Sequence, residues 1–168
     1  MSLFMPLGNV VVPQAIADTS TTQKMPLGSR VQAKDSATTA YGVGEFIYLK
    51  GVASTVVGSW VTFNQDDSTT ALLAANAIGP VAVAMSANAA STSHGWYQVF
   101  GKAVGLALAA FADNANVYAT ATAGSVDDTA VAGDRVKNAK GASAVDTPST
   151  GLAEFEIQYP VMDDGLAA

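Results

Sequence analysis

The chain has no cysteine among its 168 residues, which excludes disulfide staples and thiolate metal centres and leaves the redox compartment open. It has one histidine, His94, and one imidazole supplies little of a metal site, which wants several N or O ligands with hydrogen-bonded support. Charge is scarce as well: Asp, Glu, Lys and Arg make up 13%, against about 25% in a typical soluble domain. Basic residues are the scarcest part of it, eight against fourteen acidic, for a net charge of −6. They are scattered and never gather beside aromatic residues. Binding to nucleic acid needs clustered Lys and Arg to displace counterions, so nucleic acid is excluded as a partner. Long hydrophobic runs are missing too, and the longest, Ala103 to Ala112, falls far short of the roughly 20 residues of a membrane helix. The opening MSLFMPLGNVVVPQ has neither a basic n-region nor an unbroken apolar core, so no signal peptide is read. The expectation is a soluble protein made without export, with no membrane partner.

What is present is apolar but small. Hydrophobic residues reach 49%, yet many are alanine, which buries little area, so a core must lean on few large side chains. The length suits one domain, which we divide into an extended N-terminal arm (1–27), a β domain (28–162) and a loose tail (163–168). Strand signals recur through the middle unit: Ser29 to Lys34, Glu45 to Lys50, Ser59 to Phe63, Val81 to Met85, Trp96 to Phe100 and on to Leu108, Asn116 to Thr122, and Leu152 to Tyr159. In the last, Phe155, Ile157 and Tyr159 alternate with Glu154, Glu156 and Gln158, which predicts a half-buried strand ended by Pro160. Val81, Val83 and Met85 alternate with Ala82 and Ala84, which predicts one inward face. Gly101 and Gly105 mark a bulge, a bend or a close backbone approach. Short strand possibilities lie at Arg135 to Lys137 and Ala142 to Val145, and Thr69 to Ala77 is read as one or two helical turns. Eight or more short strands with turn chemistry between them predict an all-β fold, a compact sandwich or barrel.

The arm differs from the rest. Pro6, Pro13 and Pro26 each remove a backbone donor and favour extended chain before them. Met5-Pro6-Leu7-Gly8 recurs as Met25-Pro26-Leu27-Gly28, either a duplicated docking segment or a coincidence of composition. On the docking reading, Phe4, Met5, Leu7, Val10, Val11, Val12, Met25 and Leu27 are the partner-binding residues.

Chemistry-bearing residues are few. Glu154 and Glu156 would share a strand face at roughly 7 Å, near the spacing of glycosidase carboxylates, but the same alternation turns them to solvent. His94 lies in a polar loop, and no serine stands in a G-x-S-x-G elbow. Asp66-Asp67, Asp127-Asp128 and Asp163-Asp164 fit turns and lack calcium-loop spacing. Trp60, Trp96, Tyr97 and Phe100 are either an aromatic platform for sugars or bases, or core. No catalytic residue, metal or cofactor is assigned.

The succession IGPVAVAMSANAASTSHGWYQVFGKAVGLAL, then FADNANVYATATAGSVDD, resembles the small head-decoration, or capsid-cement, proteins of tailed bacteriophages. The matching steps are Ile78 to Met85, Trp96 to Gly101, and Ala112 to Tyr118 with Gly124, about the middle half of the chain. The resemblance implies a non-enzymatic, all-β virion protein, made in the host cytoplasm, that binds the outside of the capsid. Its partners would be the major capsid protein and copies of itself, a trimer among the options. A tail or fibre component, or another glycan-binding virion module, is the alternative, and a hydrolase using Glu154 and Glu156 is a third class.

Overall fold

The computed structural model describes residues 3–8 and 11–163; Val10 and the tail residues 164–168 lie outside the described part. Twelve strands run in chain order: β1 (Phe4–Pro6), β2 (Thr19–Ser20), β3 (Arg30–Asp35), β4 (Val43–Lys50), β5 (Trp60–Phe63), β6 (Thr70–Leu72), β7 (Val81–Ala84), β8 (His94–Leu106), β9 (Asn116–Ala119), β10 (Val126–Asp127), β11 (Arg135–Gly141) and β12 (Leu152–Met162). Among the described residues there is no helix, so none is long and apolar enough to cross a membrane. The fold is all-β. The main path, β1-β3-β4-β8-β12-β11-β9-β10, has two ends, with β2 and β7 also on β8, and β5 pairing β6 and β7. This open antiparallel sheet is consistent with a sandwich and not with a closed barrel.

The two runs around Gly101 form one strand, β8, which the rest of the sheet gathers around. Its first half pairs with β4, β7 and β2, and its second half with β12 from Gln158↔Phe100 to Leu152↔Leu106. Gly101 takes φ +102°, a region open to glycine at no steric cost. A Cβ there would also meet Val43 O, and two residues earlier the register against β4 slips, with Glu45 opposite Phe100 and Phe46 opposite Gln98, a bulge that leaves Val99 unpaired. Gly105 is a close approach, since a Cβ there would meet the Trp60 indole. Both glycines therefore act as their sequence positions predict.

Three apolar clusters fill the interior. The largest holds Trp60, Leu73, Val81, Val83, Phe111 and Phe155, the second Ile47, Leu49, Phe63, Ala82, Ala84 and Tyr97, the third Phe4, Ile16, Val31, Phe46, Tyr48 and Trp96. Strands β4 and β7 are sandwiched, so both sides of their alternation are buried. Val81 and Val83 feed one cluster and Ala82 and Ala84 another, which corrects the expectation of a single inward face.

Three further expectations change. Thr69 to Ala77 is not helical: Thr70–Leu72 pairs with β5, Leu73 N–H donates to Trp60 O at 2.9 Å, and tertiary pairing overrides a short ambiguous run. Ala142 to Val145 forms no strand; Ala142 N–H donates to Glu154 O and Val145 N–H to Phe111 O. Strand β12 passes through Pro160 to Met162, and Tyr159 leaves the inward row. It takes φ +52° and is 49% exposed.

The described N-terminal residues lie along this body. Strand β1 pairs with β3 from Phe4↔Asp35 to Pro6↔Ala33, and β2 with the start of β8. Gln14, buried, fixes the stretch between them. Its Nε2 donates to Asp18 O (2.8 Å) and His94 O (2.9 Å), its Oε1 accepts from Tyr48 OH (2.7 Å), and its backbone O accepts from Trp96 Nε1 (3.0 Å).

Candidate functional site

Strand β1 ends the sheet. Leu3, Met5 and Leu7 alternate along it and are 55%, 56% and 40% exposed, and Val11 stands out at 86%. Leu3 O accepts from Ser36 N–H (2.8 Å) and Leu7 N–H donates to Gln32 O (2.9 Å). The odd-numbered backbone groups thus face β3, and ladder alternation turns those of Phe4 and Pro6 outward. Proline has no N–H to offer, so this edge is blunted against strand addition. What it offers a neighbour is apolar side chain.

The eight residues read as partner-binding therefore separate. Phe4 is buried edge-on to Phe46 at 4.8 Å, and Val12, Met25 and Leu27 pack on the same cluster; these serve the chain's own core. Met5, Leu7 and Val11 are exposed. Val10 lies outside the described residues. In both Met-Pro-Leu-Gly copies the glycine takes φ +77°, so the repeat shares a backbone turn while its side chains have different surroundings.

Two recesses adjoin the edge. An open groove of about 520 Å³ runs between Met5–Leu7 and residues 34–39. Its floor is the Asp35 turn, where Oδ1 accepts from Ala37 and Thr38 N–H and Oδ2 from Thr38 Oγ1 at 2.6 Å. Burial opposes ionisation of Asp35, but the Thr38 hydroxyl and these backbone donors outweigh it and hold the carboxyl below its ordinary value. Beyond Thr38 lies a cleft of about 600 Å³, walled by Phe4, Tyr41, Met85, Gln98, Lys102, Val104 and Leu152, within the size range of small-ligand sites.

The outer face of β8 and β12 carries the most ordered polar chemistry. Phe100, Lys102 and Val104 lie opposite Gln158, Glu156 and Glu154, and residues two apart share a strand face. At one end Tyr159 OH donates to Glu45 Oε2 (2.9 Å), Glu45 Oε1 pairs with Arg30 (3.0 Å), and the Arg30 guanidinium lies 5.8 Å from the Tyr159 ring centre. Phe100, 39% exposed, rests on that ring at 5.6 Å. Further along, Tyr41 OH donates to Glu154 Oε1 (3.0 Å), Glu154 Oε2 pairs with Lys102 (2.7 Å), and the ammonium lies 5.5 Å from the Tyr41 ring centre. The face thus repeats one triangle of cation, carboxylate and tyrosine. Burial first, then the Glu154 bond, pushes the Tyr41 hydroxyl up to about 12, and the bond to Glu45 chiefly raises that of Tyr159. Both remain protonated donors at neutral pH.

The remaining candidates resolve as follows. Glu154 is tied into its triangle and only Glu156 is free on the solvent side. His94 stacks on Tyr48 at 6.2 Å, and no group of His, Asp and Glu among the described residues is placed to hold a metal. Asp67 caps its own turn through Thr69, and Asp128 accepts from Ala112 N–H. Asp163 pairs with Lys137; Asp164 lies outside the described residues. Trp60, Trp96 and Tyr97 are core, so of the aromatic four only Phe100 reaches the surface. Sequence reasoning missed Tyr41, Lys102, Arg30, Glu45 and Tyr159. Glu45 lies 114 residues from Tyr159, and Tyr41 lies 113 from Glu154, and no local spacing signals such pairs. No protein-family model, curated protein or solved structure matches the chain.

Proposed function

We propose that this is a non-enzymatic structural protein of a tailed-phage virion, which binds the outer capsid surface and stabilises the shell by bridging neighbouring subunits. The observation that carries the proposal is the N-terminal edge: Leu3, Met5 and Leu7 stand exposed along a strand fixed to a β body, beside an open groove, and Val11 beyond it is exposed as well. Apolar side chains presented together on a rigid edge are what a partner surface buries. The resemblance of the middle of the chain to capsid-cement proteins names the partner, the major capsid protein, and further copies of the chain, with a trimer among the options. The protein would then be made in the host cytoplasm and reside on the capsid exterior.

Co-sedimentation with intact capsids tests this. The protein should pellet with them, and joint Met5→Asp and Leu7→Asp substitution should weaken the association at least about tenfold, the 1.4 kcal/mol that loss of one well-buried apolar contact exceeds. A folded wild-type protein that stays in the supernatant sinks the reading.

A further inference from the structure

The outer face of β8 and β12 is not used by the edge just described, and its construction is unusual. Continued alternation from Phe155 and Ile157 would bury Tyr159. The chain instead places this bulky residue at φ +52°, a left-handed conformation that crowds the Cβ of an L-residue, and so turns the ring out. A second irregularity, the bulge between β4 and β8, sets Phe100 beside it. Bulges commonly re-aim side chains at functional sites, and backbone strain is kept where surroundings enforce it. Here the surroundings are the Arg30–Glu45 pair and Phe100.

We infer that this face is a binding site for a neutral, extended glycan, lying across the two cation–carboxylate–tyrosine triangles. A sugar ring has a flat C–H surface and a rim of hydroxyls that both donate and accept. The face matches both: Tyr159 and Phe100 present exposed ring surface, and beside them stand a guanidinium fork with spare donors and a carboxylate with spare lone pairs. Each triangle sets one cation against one carboxylate, and Glu156 on the same face lies opposite Lys140 of β11, so the charges balance and neither a phosphate nor a cationic peptide is favoured over an uncharged ligand. The groups are already tied to one another, so little side-chain freedom remains to be lost on binding. Phe100 and Lys102, the β8 residues at the two triangles, stand on the order of 7 Å apart by strand rise, which lets neighbouring units of one chain meet successive triangles. Lys102 also opens on the cleft with Met85, Val104 and Leu152, which receives the end of the ligand. The inference is independent of the capsid proposal, because it uses none of the exposed side chains Leu3, Met5, Leu7 and Val11.

The test is calorimetric titration with hexasaccharides of α-glucan, β-glucan, chitin and mannan, with the unfolding midpoint of each variant as a folding control. At least one should bind with a dissociation constant below about 1 mM. Tyr159→Ala and Lys102→Ala should each weaken it at least about tenfold, and Tyr159→Phe, which keeps the ring and loses the hydroxyl, by about threefold. Arg30→Gln, at an exposed position, replaces Lys102→Ala if that variant fails to fold. The Met5→Asp, Leu7→Asp variant should bind as the wild type does. Failure of all four sugars to bind overturns the inference, as does binding indifferent to both triangles. Loss of capsid association in Tyr159→Ala without any glycan binding overturns it too, and assigns the face to a protein.

Discussion

The N-terminal edge and the β8–β12 face both expose large side chains, and they do so in opposite ways. On the edge, Met5, Leu7 and Val11 are bare: their side chains have no polar tether, and Pro6 withholds the backbone donor that would direct a partner strand. On the β8–β12 face each tyrosine is fixed by its hydroxyl to a carboxylate, and each carboxylate to a cation. Bare apolar surface gains from burial without regard to fine orientation. Tethered rings with convergent donors and acceptors recognise orientation. One small body therefore carries a surface suited to firm attachment and another suited to reading a ligand, and the two can be broken separately.

The largest effect comes from the core beneath the second face. Phe155 points inward from β12 between the two Glu side chains, edge-on to Trp60 at 4.9 Å and 5.2 Å from Phe111. Phe155→Ala should cost about 3–5 kcal/mol in chemical denaturation. Because β12 and β8 share this support, it should degrade the β8–β12 face more than the edge. A loss under 1 kcal/mol would mean that the two faces rest on different supports from those described.

Next is the tether of the first region. Gln14→Ala leaves the Tyr48 hydroxyl buried without its acceptor and frees the stretch between β1 and β2, which should cost about 1–3 kcal/mol. Hydrogen exchange should quicken for amides of residues 3–8 and 11–20 while those of β12 hold. Equal quickening in both would show that the edge and the face do not move independently.

Acid should act on the edge in the same direction with a smaller effect. The folded Asp35 carboxyl lies below its ordinary 3.8, so the folded state binds fewer protons than the unfolded chain. Its contribution is fully present above that ordinary value and is lost as pH falls through the lower folded one. Asp67 is lowered too, chiefly by the Thr69 hydroxyl bond, so a global melting curve mixes the two. The Ala37 and Thr38 amide resonances report Asp35 alone, and they should shift and broaden below pH 4. Unchanged resonances at pH 2 would remove the turn as the floor of the groove.

Much of this fold was legible in the residues. Strand-forming runs located β3 and β4, alternation located the first half of β12, and glycine marked the close approach to Val43 at Gly101 and the Trp60 contact at Gly105. Alternation failed where its premise failed. It assumes an unbroken register, and the positive φ at Tyr159 breaks it; it assumes one buried face, and β4 and β7 are covered on both. The apolar N-terminal residues looked alike in sequence, yet Phe4 turns inward and Met5 outward because they are neighbours on one strand. The triangles could not be read at all, because tertiary pairing joins Arg30 and Glu45 to Tyr159, and Tyr41 to Glu154, across most of the chain.

The smallest expected change in stability separates the two surfaces best. In Tyr159→Gly the ring contact with Phe100, worth about 0.5–1.5 kcal/mol, and the Arg30 contact, worth about 0.5–1 at an exposed site, are both lost. Glycine also brings about 0.5–1 kcal/mol of extra chain entropy to the unfolded state. Against these stands relief of roughly 1–2 kcal/mol of left-handed strain. The Glu45 hydrogen bond goes too, at about 0.5 kcal/mol for an exposed pair, so the relief offsets about half of the loss and the variant should be about 1–2 kcal/mol less stable than the wild type in chemical denaturation, less than removing an inward aromatic such as Phe155 costs. The face would have lost its outermost ring while the edge stayed intact. A loss as large as that of Phe155→Ala would mean that Tyr159 supports the fold; a loss confined to about 1–2 kcal/mol would mean that the core does not rest on this ring.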